Sequence, residues 1–206
     1  MEASADLTQK LLDWLGTGSI NIFGRPFSGK DTQAKLLSEF FNASIIGGGD
    51  IIRKSGDATM TSHIGTGQLT PQNDYLALIL PYLNKQEFKN RPLILSSLGR
   101  WHGEEDSIMQ SSKDSNHPIK AVINLEIDEA MVFERWEAAK QLSDRGDRND
   151  DNSDSITTRL KEYKNKTLPV LDYYNKRGLL ININGNQDRS RVTKAITKAL
   201  IQKIKY

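Results

Sequence analysis

Short apolar, β-branched runs recur along the chain at Ile20–Phe23, Ser44–Ile46, Leu93–Ser96, Ala121–Ile127 and Leu180–Ile183. Runs of this length without strict alternation suit strands buried on both faces. Longer stretches between them repeat their apolar positions at helical spacing: Thr32–Phe41, Asn73–Leu80, Glu129–Leu142, Ser155–Lys176 and Arg189–Lys203. In the last, Val192, Ala195, Ile196, Ala199, Leu200 and Ile204 fall on one side. Strands alternating with helices predict right-handed βαβ units, hence an α/β fold with a five-stranded parallel sheet and helices on both faces. Pro169 predicts a kink or a split within Ser155–Lys176, because it lacks an N–H and crowds the preceding turn.

Residues 4–15 place Leu7, Leu11, Leu12, Trp14 and Leu15 at helical spacing, and Gly16 and Gly18 close the segment. This predicts an N-terminal helical extension, residues 1–18, lying on a main domain of residues 19–206. Two regions break the alternation. Residues 47–76 are rich in glycine and polar side chains, and residues 143–154 are almost wholly polar. Neither reads as core, so both are expected to be mobile covers over the carboxyl ends of the strands, where open α/β sheets bind ligands.

The first predicted strand runs into Gly24-Arg25-Pro26-Phe27-Ser28-Gly29-Lys30-Asp31-Thr32, and that loop opens the first helix of the main domain. A Gly-x-x-x-x-Gly-Lys loop between a strand and a helix is a phosphate cradle. Loop N–H groups and the helix N-terminus face one anion, and the lysine brings a point charge to the outer phosphates. Gly24 through Thr32 are therefore candidate nucleotide-phosphate residues.

Composition narrows the partners. A chain of 206 residues with formal charge +2 carries no excess that would mark a nucleic-acid or membrane binder. It has no cysteine and only three histidines, so no zinc is expected. Glu2 and Asp6 near the start do not suit a signal peptide, and no run is long enough to span a bilayer. The expectation is a soluble, cytoplasmic protein.

Arg53 follows the second predicted strand, Arg100 the third, and Arg135 lies on the helix after the fourth. All three should reach the sheet edge that bears the cradle. Arg148 lies within the polar segment and Arg159 just after it. Clustered guanidinium groups at a phosphate site suit phosphoryl transfer, whose catalysis is mainly positioning and cationic stabilisation.

These residues carry a resemblance to the adenylate kinase family of nucleoside monophosphate kinases, in its short-lid form. Gly24-Arg25-Pro26 with Gly29-Lys30-Asp31-Thr32-Gln33 is similar to the family's phosphate loop, and Gly49-Asp50-Ile51-Ile52-Arg53 to its Thr-Gly-Asp-x-x-Arg. Gly67-Gln68-Leu69-Thr70-Pro71 resembles the Gly-x-x-Val-Pro stretch that closes the monophosphate cover, and Leu98-Gly99-Arg100 stands where the family has Phe-Pro-Arg. Arg148-Asn149-Asp150-Asp151-Asn152, Arg159-Leu160 and Tyr163 resemble the lid and the helix that follows it. The resemblance covers residues 19–206. It implies a monomer that moves the γ-phosphoryl of ATP to a nucleoside monophosphate, AMP first. It also implies that magnesium is held mainly by phosphates and water. Lys30 and the loop would hold the donor, Arg53 and Arg100 the acceptor phosphate. Arg135, Arg148 and Arg159 would gather round the moving group. Gly48, Thr70 and Glu104 would line the acceptor.

The departures have chemical consequences. Phe27 and Asp31 stand where glycines are usual in the loop, and Ser96 where an aspartate organises magnesium water. Asp31 is the candidate to take over that metal role. Glu104 replaces a glutamine that reads the acceptor base; ionised, it offers acceptors only and weakens discrimination against GMP. Transfer to GMP, CMP, UMP or a small molecule remains an alternative, as does a nucleotide-binding module without turnover. A GTP switch is excluded, because the three Asn-Lys pairs lack the aspartate of a guanine reader.

Overall fold

The structure, a computed structural model, describes residues 5–142 and 152–204. Helix α1 (Ala5–Leu15) leads into β1 (Ser19–Gly24), α2 (Lys30–Phe41) and β2 (Ser44–Gly47). Helices α3 (Gly48–Ser55), α4 (Ala58–Gly65) and α5 (Gln72–Leu83) precede β3 (Leu93–Ser96). Then come α6 (Glu105–Asp114), β4 (Ile119–Glu126), α7 (Glu129–Leu142) and α8 (Ser153–Glu162). A π turn at Tyr163–Thr167 joins α8 to α9 (Leu168–Lys176), and β5 (Leu180–Asn184) and α10 (Arg189–Lys203) end the chain.

The five strands form one parallel sheet in the order β2-β3-β1-β4-β5. Alternation along each strand divides the core between the two faces. Ile20 and Ile22 of β1, Ile94 of β3 and Ala121, Ile123 and Leu125 of β4 pack with α1, α2 and α10. Phe23, Leu93, Leu95 and Val122 pack with α5, α6 and α9 on the other face. The N-terminal helix belongs to the first of these layers, with Leu11 and Leu15 fully buried beside Ile196 and Leu200 of α10. Each such leucine contributes about 1.5–3 kcal/mol by leaving water.

Two features depart from the pattern read in the sequence, and a third follows it. The glycine-rich stretch at 47–76 forms α3 and α4, and Ile51 and Ile52 enter the core cluster, so the expectation that this stretch stays outside the core is corrected. Hydrophobic burial of two adjacent isoleucines outweighs the poor helix propensity of the glycines before them. Helix α6 was not foreseen, because Ile108 is its one fully buried apolar side chain and its period is faint. The long helix at Ser155–Lys176 is divided by the π turn, which ends where Leu168 donates its N–H back to the Tyr163 carbonyl. Pro169, in the first turn of α9, needs no intrahelical donor there.

A buried asparagine joins the sheet to the loop beyond β3. Asn21, fully buried in β1, donates through Nδ2 to the Leu98 carbonyl at 2.8 Å and accepts the Leu98 N–H at 3.2 Å. Replacing it with alanine strands two buried backbone groups, each costing about 1–3 kcal/mol. Asn21→Ala should therefore lose about 2–6 kcal/mol of stability in urea unfolding, the sum of those two. A loss under about 1 kcal/mol would mean that the Leu98 backbone finds other partners.

Candidate active site

The loop after β1 bends back through Ser28, whose N–H donates to the Arg25 carbonyl at 3.2 Å. Gly29 then takes φ 87°, a left-handed conformation natural to glycine, and begins α2 with no side-chain cap. A helix N-terminus of this kind suits an anion. Phe27 also has positive φ, 60°, where a non-glycine residue is strained. Its ring is held by packing. It is 8% exposed and lies in a cluster with Ile127, Val132, Ile156 and Leu160. The bulk that looked out of place in the loop is an apolar pin between the loop, α7 and α8.

One cleft gathers most of the expected residues. Gly24, Pro26, Phe27, Lys30 and Asp31 line it from the loop, Gly48 and Arg53 from α3, Arg100 from beyond β3, and Arg159 from α8. Arg53 is steadied by an ion pair with Asp50 one helical turn away. Burial lowers the Arg100 guanidinium below its ordinary value, and the nearby charge of Arg159 pushes it the same way. Cations crowded in this manner favour an anion between them.

Other expected residues lie elsewhere. Arg135 does not line the cleft: it donates to the carbonyls of Phe27 at 3.2 Å, Gly185 at 2.7 Å and Gln187 at 3.3 Å, clamping the loop to the segment after β5. Arg25 donates to the Ile127 carbonyl and stands over the Tyr163 ring at 5.8 Å. Ser28, Gly29 and Thr32 are not among the residues that line the cleft. Thr70 and Glu104 border a smaller cavity beside Arg100. Arg148 lies outside the described residues, as does most of the expected lid at 143–154.

Two departures noted in the sequence meet in space. Ser96, at the end of β3, donates its hydroxyl to Asp31 Oδ1 at 3.0 Å, while Lys30 Nζ stands 3.8 Å from Oδ2. A carboxylate from α2 therefore stands at the end of β3. Among the described residues no group of three or more His, Cys, Asp or Glu side chains is placed to hold a metal. A cation here would need nucleotide phosphates for most of its ligands.

Several supporting residues had escaped the sequence reading. Tyr75 of α5 accepts the Gly99 N–H at 3.3 Å, and its hydroxyl stands 2.6 Å from where a Cβ on Gly48 would be, so only glycine fits beneath it. Thr167 donates to the Arg100 carbonyl at 3.2 Å, and Glu162 accepts the Leu69 N–H at 3.2 Å, tying the stretch after α4 to the end of α8. A polar residue inside an apolar run, such as Asn21 between Ile20 and Ile22, is the one signal that sequence offered for such ties.

A family model described as adenylate kinase matches residues 22–179. An adenylate kinase of Methanocella arvoryzae is 32% identical over 213 residues, covering 89% of this chain and 98% of that protein. One of Azobacteroides pseudotrichonymphae is 33% identical over 189 residues, covering 88% and 96%. One of Leptospira biflexa is 31% identical over 187 residues, covering 86% and 96%.

Phe27 sets two magnitudes against each other. Glycine would relieve about 1–2 kcal/mol of left-handed strain. Deleting a buried phenyl ring costs about 3–5 kcal/mol. Phe27→Gly should therefore be less stable by about 2–3 kcal/mol in thermal or urea unfolding. A more stable variant would show that the ring contributes little packing.

Proposed function

The chain belongs to the adenylate kinase family, and from that premise we propose residue roles for its reaction. The enzyme transfers the γ-phosphoryl of ATP to AMP and yields two ADP. An α-phosphate oxygen of AMP forms the new bond to the γ-phosphorus as the bond to the β,γ-bridging oxygen breaks, and the electron pair leaves on ADP. The attacking oxygen is already anionic, so no side chain need serve as a strong base.

The observation that carries the assignment is the meeting of Lys30, Arg53, Arg100 and Arg159 in one cleft at the uncapped start of α2. Lys30 and the loop backbone at the start of α2 hold the donor phosphates. Arg53 and Arg100 hold the acceptor phosphate. Arg159 stabilises the charge that spreads over the moving group, with Arg148 as its lid counterpart. Arg135 acts as a positioning residue, since its guanidinium is occupied by three carbonyls of the surrounding loops. With these roles goes a cytoplasmic monomer, consistent with balanced charge and the absence of cysteine; among the described residues no helix is long and apolar enough to cross a membrane.

Magnesium fits the Asp31–Ser96 pair. The pair offers hard oxygen donors at the mouth of the cradle, and the Asp31 side chain is 46% exposed. Bound there among the phosphates, the ion would supply charge neutralisation between donor and carboxylate. Asp31 would hold it directly or through one water.

Lys30→Ala tests the assignment itself. The variant should keep its circular dichroism spectrum and lose at least about a hundredfold in ADP formation at saturating ATP, because the outer phosphates lose their point charge. A folded variant with near-normal turnover would end the kinase reading.

Asp31 generates a separate expectation. Asp31→Gly should raise the magnesium concentration needed for half-maximal rate by about tenfold, and adding Ser96→Asp should partly reverse that rise. An unchanged magnesium requirement would leave Asp31 with only the favourable charge of a first-turn acid, about 0.3–1 kcal/mol.

A further inference from the structure

Three buried polar atoms without partners belong to residues that line the small cavity beside Arg100. They are the Thr70 hydroxyl, the Trp101 indole N–H and Glu104 Oε1. Ile52, Ile64 and Leu69 supply its apolar walls. Buried polar atoms are almost always paired, so three orphans in one apolar cavity indicate a ligand edge that is flat and polar. The cavity shares Arg100 and Leu69 with the main cleft, which places it next to an acceptor phosphate held by Arg100.

The two oxygens of Glu104 differ. Oε2 accepts the Trp101 N–H at 3.1 Å, whereas Oε1 is buried without a partner in a residue that lines the cavity. A proton on this carboxyl therefore belongs on Oε1, which then becomes a donor in need of an acceptor. Resting on the reading that this cleft takes a nucleoside monophosphate, we propose that Glu104 reads the acceptor base as a neutral acid: Oε1–H donates to a bare ring nitrogen, as in adenine, and the ionised form turns the preference toward guanine. Adenine presents an acceptor N1 beside an amine donor, and the acid presents the complementary donor and acceptor. Guanine presents N1–H and an amino group, which an ionised carboxylate accepts and an Oε1–H opposes.

The surroundings favour the acid near neutrality. Glu104 is 0% exposed, and burial pushes its carboxyl up to about 7. Backbone N–H groups at Trp101 and Arg100 and the Arg100 charge act against that rise, and Glu105 acts with it. Glu105 itself pairs with His102 at 2.8 Å. Tyr75 from α5 and Tyr174 from α9 also feel the Glu104 charge, and Lys166 reaches the cavity's Trp101 ring at 3.8 Å. Ionised Glu104 was the basis for expecting weak discrimination against GMP; burial confines that condition to higher pH.

Calorimetric titration of the full chain with AMP and with GMP, in buffers of different ionisation enthalpy, counts the protons exchanged between about pH 6 and about pH 8.5. AMP should take up about one proton more than GMP, the shared phosphate cancelling in the comparison. In step with that, the AMP-over-GMP ratio of kcat/KM should fall about tenfold per pH unit above the Glu104 value of about 7. Glu104→Gln should abolish the proton difference and flatten the pH profile, because the amide is a fixed donor and acceptor. A proton difference of zero in the natural chain overturns the proposal, and so does one that survives in Glu104→Gln. Should that variant fail to fold, the natural chain's proton count alone decides. A proton difference without phosphoryl transfer would sink the kinase reading and leave the role of Glu104 standing. Failure of both nucleotides to bind would overturn both.

Discussion

A phosphate cradle spends its polar backbone on an anion, so the loops around it have to be tied by something other than the cradle. In this protein the ties are side chains reaching long distances in sequence to backbone atoms. Asn21 holds Leu98, Tyr75 holds Gly99, Thr167 holds the Arg100 carbonyl, and Arg135 spans the carbonyls of Phe27, Gly185 and Gln187. Each tie satisfies a backbone group that would otherwise cost free energy on burial, and each also fixes a loop that lines or borders the cleft. Stability and site geometry therefore come from the same bonds. Rigid loops in turn let cations wait in position, which is where most of the catalytic advantage of phosphoryl transfer lies.

Charge in the cleft is arranged in layers. Outer acids steady particular bases, as Asp50 does Arg53 and Glu162 does Lys166. Deeper in, Arg100 and Arg159 act on each other as like charges, and burial disfavours the charge of Arg100 further. Like charges held this close favour an anion between them. Asp31 stands beside the cradle lysine. Its hydrogen bond from Ser96 joins a carboxylate at a helix start to the end of a strand.

The apolar parts of the site are as specific as the polar ones. Phe27 keeps a glycine-like backbone because its ring is packed under Ile156 and Leu160 of α8, which links the cradle to the helix carrying Arg159. Ile52 and Leu69 wall the cavity that Glu104 also lines. In that dry setting a carboxyl group is held between its two protonation states, and its hydrogen-bonding character changes with the proton.

By itself the sequence determined the alternation of strands and helices, the parallel sheet, the phosphate loop at Gly24–Thr32 and the family. All of these are local patterns: a period of apolar residues, or a motif within one turn of chain. It also placed Arg53 and Arg100 at the right edge of the sheet, since a residue just after a parallel strand can be nowhere else. Only the tertiary structure decided what each guanidinium touches. Arg135 and Arg53 look alike in sequence, yet one is spent on three carbonyls and the other lines the cleft. The same holds for Glu104, whose charge state depends on burial among residues distant in the chain. Desolvation and long-range hydrogen bonds are set by neighbours that are brought together only on folding, and a one-dimensional pattern does not record them.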